Sequence, residues 1–353
     1  MEGDDTAHLW LEQKMDEHNE NATKDVKGGK LDLPLKSDGT EYKVTHIKGD
    51  QEDVACEVFS KLKEWLEFQP ANNDDKFEPL LMTVSGVAGT GKTVLIKTVV
   101  TAIRKMFRFN NSVLVFSPTG AAAHNAGGTT FHRGGAVKVK NVDWEMTEKQ
   151  REKLRGLYNR TVALIGDERS LLQSGVLGAF ERNISKTAHG GGHDTELFGG
   201  IPIVILIGND GQLPPPVSPG AFESVPSSNW SSRMSCKLRG DLLFHTLSEK
   251  VMELTKLKRQ DENDDVLVSI LENARTDKIS NKQADILESL HLSNFTAAQQ
   301  KEIKDKSIFL FATKEPMRDF NLEQLDKESS ENNPVAFIKS KVSVFFSLSL
   351  FSF

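Results

Sequence analysis

Between Gln51 and Phe68 the apolar residues Val54, Val58, Phe59, Leu62, Trp65 and Leu66 recur three and four positions apart, which predicts an amphipathic helix. The polar stretch QPANNDDKFEP then breaks the pattern and reads as a loop. A short apolar run, LLMTVS at 80–85, predicts a buried strand. Beyond the glycine-rich GVAGTGKT, residues Leu95, Ile96, Val99, Val100, Ile103 and Phe107 mark a second amphipathic helix. Three further runs, SVLVFS (112–117), TVALIG (161–166) and IPIVILIG (201–208), are almost continuously apolar, as strands covered on both faces are. The alternation predicts an α/β fold, a doubly wound parallel sheet with helices on both faces and a ligand at the carboxyl ends of its strands. Past about residue 245 the pattern turns helical (VLVSILENA, ADILESLHL), and SIFLFAT from Ser307 reads as one more strand, opening a second domain.

Composition adds boundaries to this picture. The 353 residues are 38% apolar and 27% charged, enough for one or two cored domains. Residues 1 to about 45 are polar and acidic and read as a disordered leader. That leader carries most of the net charge of -6, so the body is near neutral and charge decides nothing about nucleic acid. Cys56 and Cys236, the only two cysteines, make neither a disulfide framework nor a zinc site, which points to a reducing compartment and no disulfide-linked partner. His189 and His193 in AHGGGHD lack further ligands and are read as solvent-exposed. No import or secretion signal opens the chain, and the terminal VSVFFSLSLFSF is too short and too serine-rich to span a bilayer. The expectation is a soluble intracellular protein, without membrane association. The tail from 342 to 353 is unlike what precedes it and is read as an atypical end, such as translation into a retained intron would give.

The chemistry starts at GVAGTGKT. Its glycines, Gly86, Gly89 and Gly91, let the backbone around Ala88 and Thr90 curl so that amide hydrogens and the start of the next helix face phosphate oxygens. Lys92 is placed to hold the β and γ phosphates, and the Thr93 hydroxyl to reach Mg²⁺. A chance match to this pattern occurs in on the order of one chain in a hundred of this length, and the strand before and helix after it lower that further. Downstream, TVALIGDERS ends a strand with Asp167 and Glu168, one carboxylate for the metal shell and one to orient and deprotonate water. That pair points to nucleotide hydrolysis. A GTPase switch is disfavoured because Ser170 stands where Asp-x-x-Gly needs glycine, and Asn281-Lys282-Gln283-Ala284 lacks the base-reading Asp.

Between these motifs, SPTGAAAHNAGGTTFHR (117–133) resembles the DNA-contacting segment of Pif-one-like and RecD-like superfamily-one helicases. Pro118, Thr119 and Gly120 at a strand end offer amides and a hydroxyl to a sugar-phosphate chain; Asn125 and His132 are further candidate DNA-binding residues. The bland alternative for the alanines and glycines is a helix start packed on the sheet. IGNDGQLPPPV resembles the family's Gly-Asp-x-x-Gln-Leu-Pro-Pro motif, with Gln212 as γ-phosphate sensor, Asn209 in place of the Asp, and Asp210 beside it. LTKLKRQ resembles Leu-x4-Arg-Gln, making Arg259 the candidate for transition-state charge; a solvated helix Arg is the alternative. Gln51 resembles the family's adenine-reading glutamine.

The resemblance implies a RecA-like P-loop ATPase domain over 46–245, a helical segment over 246–306 and the start of a truncated second RecA-like domain over 307–341. It implies ATP and Mg²⁺ as cofactors, single-stranded DNA and duplex junctions as partners, 5' to 3' unwinding, and roles in repair, recombination or telomere maintenance. A nuclear location follows if the source is eukaryotic. Two other readings stay open: a degenerate nucleotide- and DNA-binding protein without motor activity, and another type of P-loop ATPase.

Overall fold

The computed structural model describes residues 31–71, 75–188, 196–215, 234–259 and 265–329. Each of the four apolar runs between residues 80 and 208 becomes a strand of one sheet: β1 (Leu80–Gly86), β2 (Val113–Ser117), β4 (Ala163–Gly166) and β5 (Ile203–Gly208), joined by the short β3 (Thr129–Thr130) and β6 (Val251–Leu254). The spatial order is β3-β2-β4-β5-β1-β6, and every pairing is parallel. Parallel neighbours require the chain to return across a face of the sheet, and helices make most of those returns. They are α1 (Asp50–Glu67), α2 (Lys92–Phe107), α3 (Gly120–Ala126), α4 (Phe131–Gly134), α5 (Glu148–Tyr158), α6 (Ser174–Ser185) and α7 (Cys236–Leu247).

Side chains alternate across the pleat, so one strand feeds two cores. Ile203, Ile205 and Ile207 of β5 pack with α1 and α2 on one face. Val204 and Leu206 pack with α5, α6 and α7 on the other. Each apolar run is continuous because both of its faces are buried.

Helices α6 and α7 cross at two glycines. A Cβ on Gly178 would sit 1.9 Å from the Cys236 carbonyl oxygen, and one on Gly240 would sit 1.7 Å from the Ser174 oxygen. Beside this crossing, Arg239 and Glu181 form a 2.5 Å ion pair with side chains only 5% and 1% exposed. Gly240→Ala is expected to force the two backbones apart, cost about 2–3 kcal/mol of overpacking, and lower the melting midpoint by roughly 5–10 °C. Gly156→Ala, where nothing lies within 4 Å of the added carbon, is the control and should be neutral or stabilising. Equal midpoints for the two variants in a thermal melt would contradict the close crossing.

Three expectations differ from the structure. Residues 31–45, assigned to a disordered leader, are placed against α2: the Asp32 amide donates to Asn110 Oδ1 at 2.7 Å, Arg104 donates to the Asp32 carbonyl, and Glu41 pairs with Lys105. Val44 buries its side chain in the core beside Ile47 of the adjoining domain, so a composition poor in apolar residues is offset by well-placed contacts. Second, the sheet does not end by residue 245: β6 adds a sixth strand at its edge, unseen in the pattern because VMEL is short and half exposed. Third, SIFLFAT forms no strand, and Ile308 and Leu310 are 94% and 95% exposed. An apolar run becomes a strand only when a neighbour accepts its backbone bonds.

The chain divides after Leu271 into two units, with α8 (Asp265–Arg275) spanning the division. The described part of the second is helical: α9 (Asn281–Ser289), α10 (Ala297–Lys306) and α11 (Lys314–Glu328). Capping boxes at Ser280/Gln283 and Thr296/Gln299 start α9 and α10, and none of the described apolar side chains of this unit is buried. Residues 1–30, His189, His193 and the tail 342–353 lie outside the described residues. No helix among those described is long and apolar enough to cross a membrane.

Candidate nucleotide site and DNA-facing segment

β1 runs into the glycine loop and the loop into α2, as the residue order requires. Gly89 and Gly91 adopt positive φ (94° and 85°), conformations that side chains resist. Gly86 is also obligatory, because a Cβ there would lie 2.7 Å from Thr90 Oγ1. Thr90 closes the turn by donating to the Val87 carbonyl at 2.9 Å. Lys92 folds over this loop and donates to the Gly86 and Val87 carbonyls at 2.7 and 3.0 Å. Burial lowers the Lys92 pKa, opposed by the charges of Glu168 and Asp167.

Asp167 and Glu168 follow β4. Asp167 is 7% exposed, and burial lifts its carboxyl to a pKa of about 6, with the Glu168 charge adding and the Glu168 amide and Lys92 opposing. That amide donates to Asp167 Oδ1 at 2.9 Å. Glu168 itself sits at φ 56°, ψ 49°, a left-handed backbone uncommon for a non-glycine residue, and such strain clusters at functional sites. The β5 loop brings Gln212 to the same place, with its amide bonded to the Asn209 carbonyl at 3.1 Å.

These groups meet in one cleft of about 430 Å³ at the carboxyl ends of the strands, which Ala88, Gly89, Gly91, Lys92 and Thr93 share with Asp167, Glu168, Gln212 and Arg259. Of the candidates expected to act on ATP, Gly86, Thr90 and Gln51 do not line it; Gly86 and Thr90 are buried within the loop itself. Gln51 is 2% exposed at the start of α1 and works from behind the loop, donating to the Gly91 carbonyl at 2.8 Å and accepting from Lys258 Nζ. Base reading would require that amide to exchange partners.

No pattern along the chain marks Lys258 or Asp50. Lys258 lines the cleft, and its backbone amide donates to the Gly89 carbonyl at 2.8 Å. Asp50 accepts from the Thr255 amide and hydroxyl, both at 2.6 Å, and these bonds hold its pKa down at about 2. The segment after β6 is thus tied to both α1 and the phosphate loop, which delivers Arg259 to the cleft from an extended strap rather than from a helix.

In the segment 117–133 the bland and functional readings divide by residue. Ala123 and Ala126 are buried and a Cβ on Gly128 would meet the Val115 oxygen at 2.2 Å, so these three serve packing, while Gly127 ends α3 at φ 73°. Thr119, Gly120 and Asn125 are exposed and Pro118 half-buried. Thr119 Oγ1 caps α3 by accepting from the Ala122 amide at 3.3 Å. His132 is half-buried, and burial lowers its pKa, so it is a neutral ring at physiological pH.

A larger cleft, of about 680 Å³, lies at the amino end of β1, against Leu80 and Leu81. Its described lysines, Lys61, Lys76 and Lys250, are all paired with glutamates, so among the described residues it offers no free cation to a phosphate.

The family model described as PIF1-like helicase matches residues 71–285, which takes in the phosphate loop, Asp167-Glu168, Gln212 and Arg259. The chain belongs to the PIF1-like helicase family. It is similar to the ATP-dependent DNA helicase RRM3 of Saccharomyces cerevisiae, 30% identical over 54% of this chain and 24% of that protein. It is also similar to the ATP-dependent DNA helicase PIF1 of Candida albicans, 32% identical over 40% of this chain and 15% of that protein. The crystal structure of Pif1 helicase from Candida albicans shares the fold, with a TM-score of 0.50 at 24% identity over 68% of this chain and 46% of that one. The chain therefore spans about a quarter or less of the length of these two relatives.

Proposed function

We propose that this chain is the ATP-hydrolysing part of a DNA helicase motor. The observation that carries the reading is the convergence of Lys92, Thr93, Asp167, Glu168, Gln212 and Arg259 on one cleft from four separate loops. Lys92 and Arg259 supply positive charge for the β and γ phosphates, and Glu168 orients the water and takes its proton as the γ-phosphoryl group leaves ADP. Gln212 is assigned to sensing the γ-phosphate.

A divalent cation fits the donors present. Asp167 is a buried carboxylate with a raised pKa, a group that gains from a cation, and the exposed Thr93 hydroxyl supplies a second hard oxygen. Mg²⁺ in that place would neutralise charge between the phosphates. Keeping most of its ligands as phosphate and water, it needs no cluster of three protein ligands, and the described residues offer none.

Thr119, Gly120, Asn125 and His132 are assigned to single-stranded DNA, with junctions as the physiological substrate. The test is phosphate release by the purified chain with and without single-stranded DNA. Stimulation by DNA is expected, and Thr119→Ala combined with His132→Ala should reduce that stimulation by about tenfold while leaving DNA-independent turnover unchanged. Equal stimulation in the double variant would place the DNA elsewhere. No stimulation in the unsubstituted chain would favour a nucleotide-binding protein without motor activity, a reading that Asn209 in the sensor loop supports.

A further inference from the structure

Strands β4 and β5 are adjacent and parallel, so the loops that leave their carboxyl ends lie side by side. One loop carries Glu168 and the other Gln212. The residue after Glu168 is Arg169, and its Nε donates to Asp210 Oδ1 at 2.9 Å while Nη2 binds Asp210 Oδ2. This two-pronged geometry is the most directional ion pair that side chains form. Arg169 is 6% exposed against 35% for Asp210, and its guanidinium lies 5.2 Å from the Phe244 ring. The loops touch closely here: a Cβ on Gly208 would fall 2.8 Å from both the amide nitrogen and Cγ of Arg169.

The rest of the β5 loop is organised around the same point. Asn209 Oδ1 accepts from the Gly211 amide at 3.1 Å, and the Asn209 carbonyl accepts from the Gln212 amide at 3.1 Å. Asn209 therefore shapes its own turn, and Asp210 is committed to Arg169 rather than to the cleft. Glu168 is one residue from the ion pair and Gln212 two. Glu168 also holds a left-handed backbone that its surroundings must maintain.

We propose that Arg169 and Asp210 are a positioning pair that sets Gln212 against Glu168, so that the γ-phosphate sensor and the water-orienting carboxylate act in register. The proposal rests on the ATPase reading above. Neither residue lines the cleft, so the pair acts on turnover through the backbone and not through nucleotide contact. A merely structural pair would change thermal stability and leave the kinetics of the folded protein alone.

The experiment compares Asp210→Asn, Arg169→Gln and the double variant of the full chain. It measures kcat and KM for ATP with saturating single-stranded DNA, affinity for a fluorescent ADP, and the melting midpoint. Each single change is expected to lower kcat by about tenfold to a hundredfold, the loss that a displacement of about 1 Å produces, with KM and ADP affinity within about twofold. The double variant should lose no more than the worse single, because both remove one interaction. Unchanged kcat in either folded single variant, or losses that multiply, would overturn the pair. Where Asp210→Asn fails to fold, Asp210→Glu keeps the charge but lengthens the arm; it is expected to bind ADP normally and to turn over slowly, and full kcat there counts against the proposal. If the unsubstituted chain shows no turnover, the ATPase reading falls by itself. The pair is then judged on the preference for ADP with aluminium fluoride over ADP alone: a tenfold drop in Asp210→Asn supports it, and an unchanged or absent preference overturns it.

Discussion

Replacing Lys92 with alanine is expected to lower ATP turnover by about three orders of magnitude while leaving the fold in place. The ammonium is held directly over the phosphate loop, where burial has already stripped part of its hydration. A charge placed in such a site does not have to reorganise as the γ-phosphoryl group departs, and losing one such group costs about 3–4 kcal/mol of barrier. The fold should tolerate the change because Lys92 Nζ bonds only to carbonyls of its own loop. Phosphate release and a thermal melt on the same sample decide the matter. Turnover within tenfold of the unsubstituted chain would mean that the cleft is not where ATP is cleaved.

Asp167→Asn is expected to make the chain more stable near neutral pH even as it removes hydrolysis. The folded-state pKa of about 6 lies above the ordinary 3.8, so the folded protein binds this proton more tightly than the unfolded chain does. The resulting stability is fully present below pH ~4, declines as pH rises, and is gone above pH ~6. Two pKa units correspond to about 3 kcal/mol. Asparagine has the same shape, still accepts from the Glu168 amide and carries no charge. A rise in melting midpoint of roughly 5–8 °C is expected at pH 7.5, shrinking towards nothing at pH 4.5. Saturating Mg²⁺ and nucleotide should narrow the gap by stabilising the unsubstituted chain alone. A lower midpoint for the variant at pH 7.5 would show that the ionised carboxylate is a stabilising group, and the role assigned to its burial would be wrong.

The parts of the fold that were legible in the sequence are those in which one local cause suffices. Strands β1, β2, β4 and β5 are buried on both faces, so each announces itself as an unbroken apolar run ending at a motif. Lys92, Thr93, Asp167 and Glu168 could be expected to share one cleft because each stands at the end of an apolar run, and Gln212 was added by its resemblance to a family motif. What stayed hidden depends on partners distant in sequence. Nothing near Lys258 announces that it will grip Gln51, and nothing in DERS or NDGQ says that Arg169 and Asp210 will meet. The same limit produced the opposite error at Ser307–Thr313, where an apolar run lacks a strand to pair with. Val44 was overlooked because one core residue does not alter the composition of a polar segment.

The strap after β6, held to Asp50 and to Gly89, bears on the order in which the protein is made. The phosphate loop leaves the ribosome early, but the edge strand and the two basic residues that close its flank are synthesised only after all the other strands of the sheet. A nascent chain that stops short of Leu254 presents a glycine loop with one side missing. If the cleft binds nucleotide as proposed, its full lining exists only once synthesis has passed Arg259, and tight capture of ATP is expected of chains that include that residue and not of shorter nascent ones.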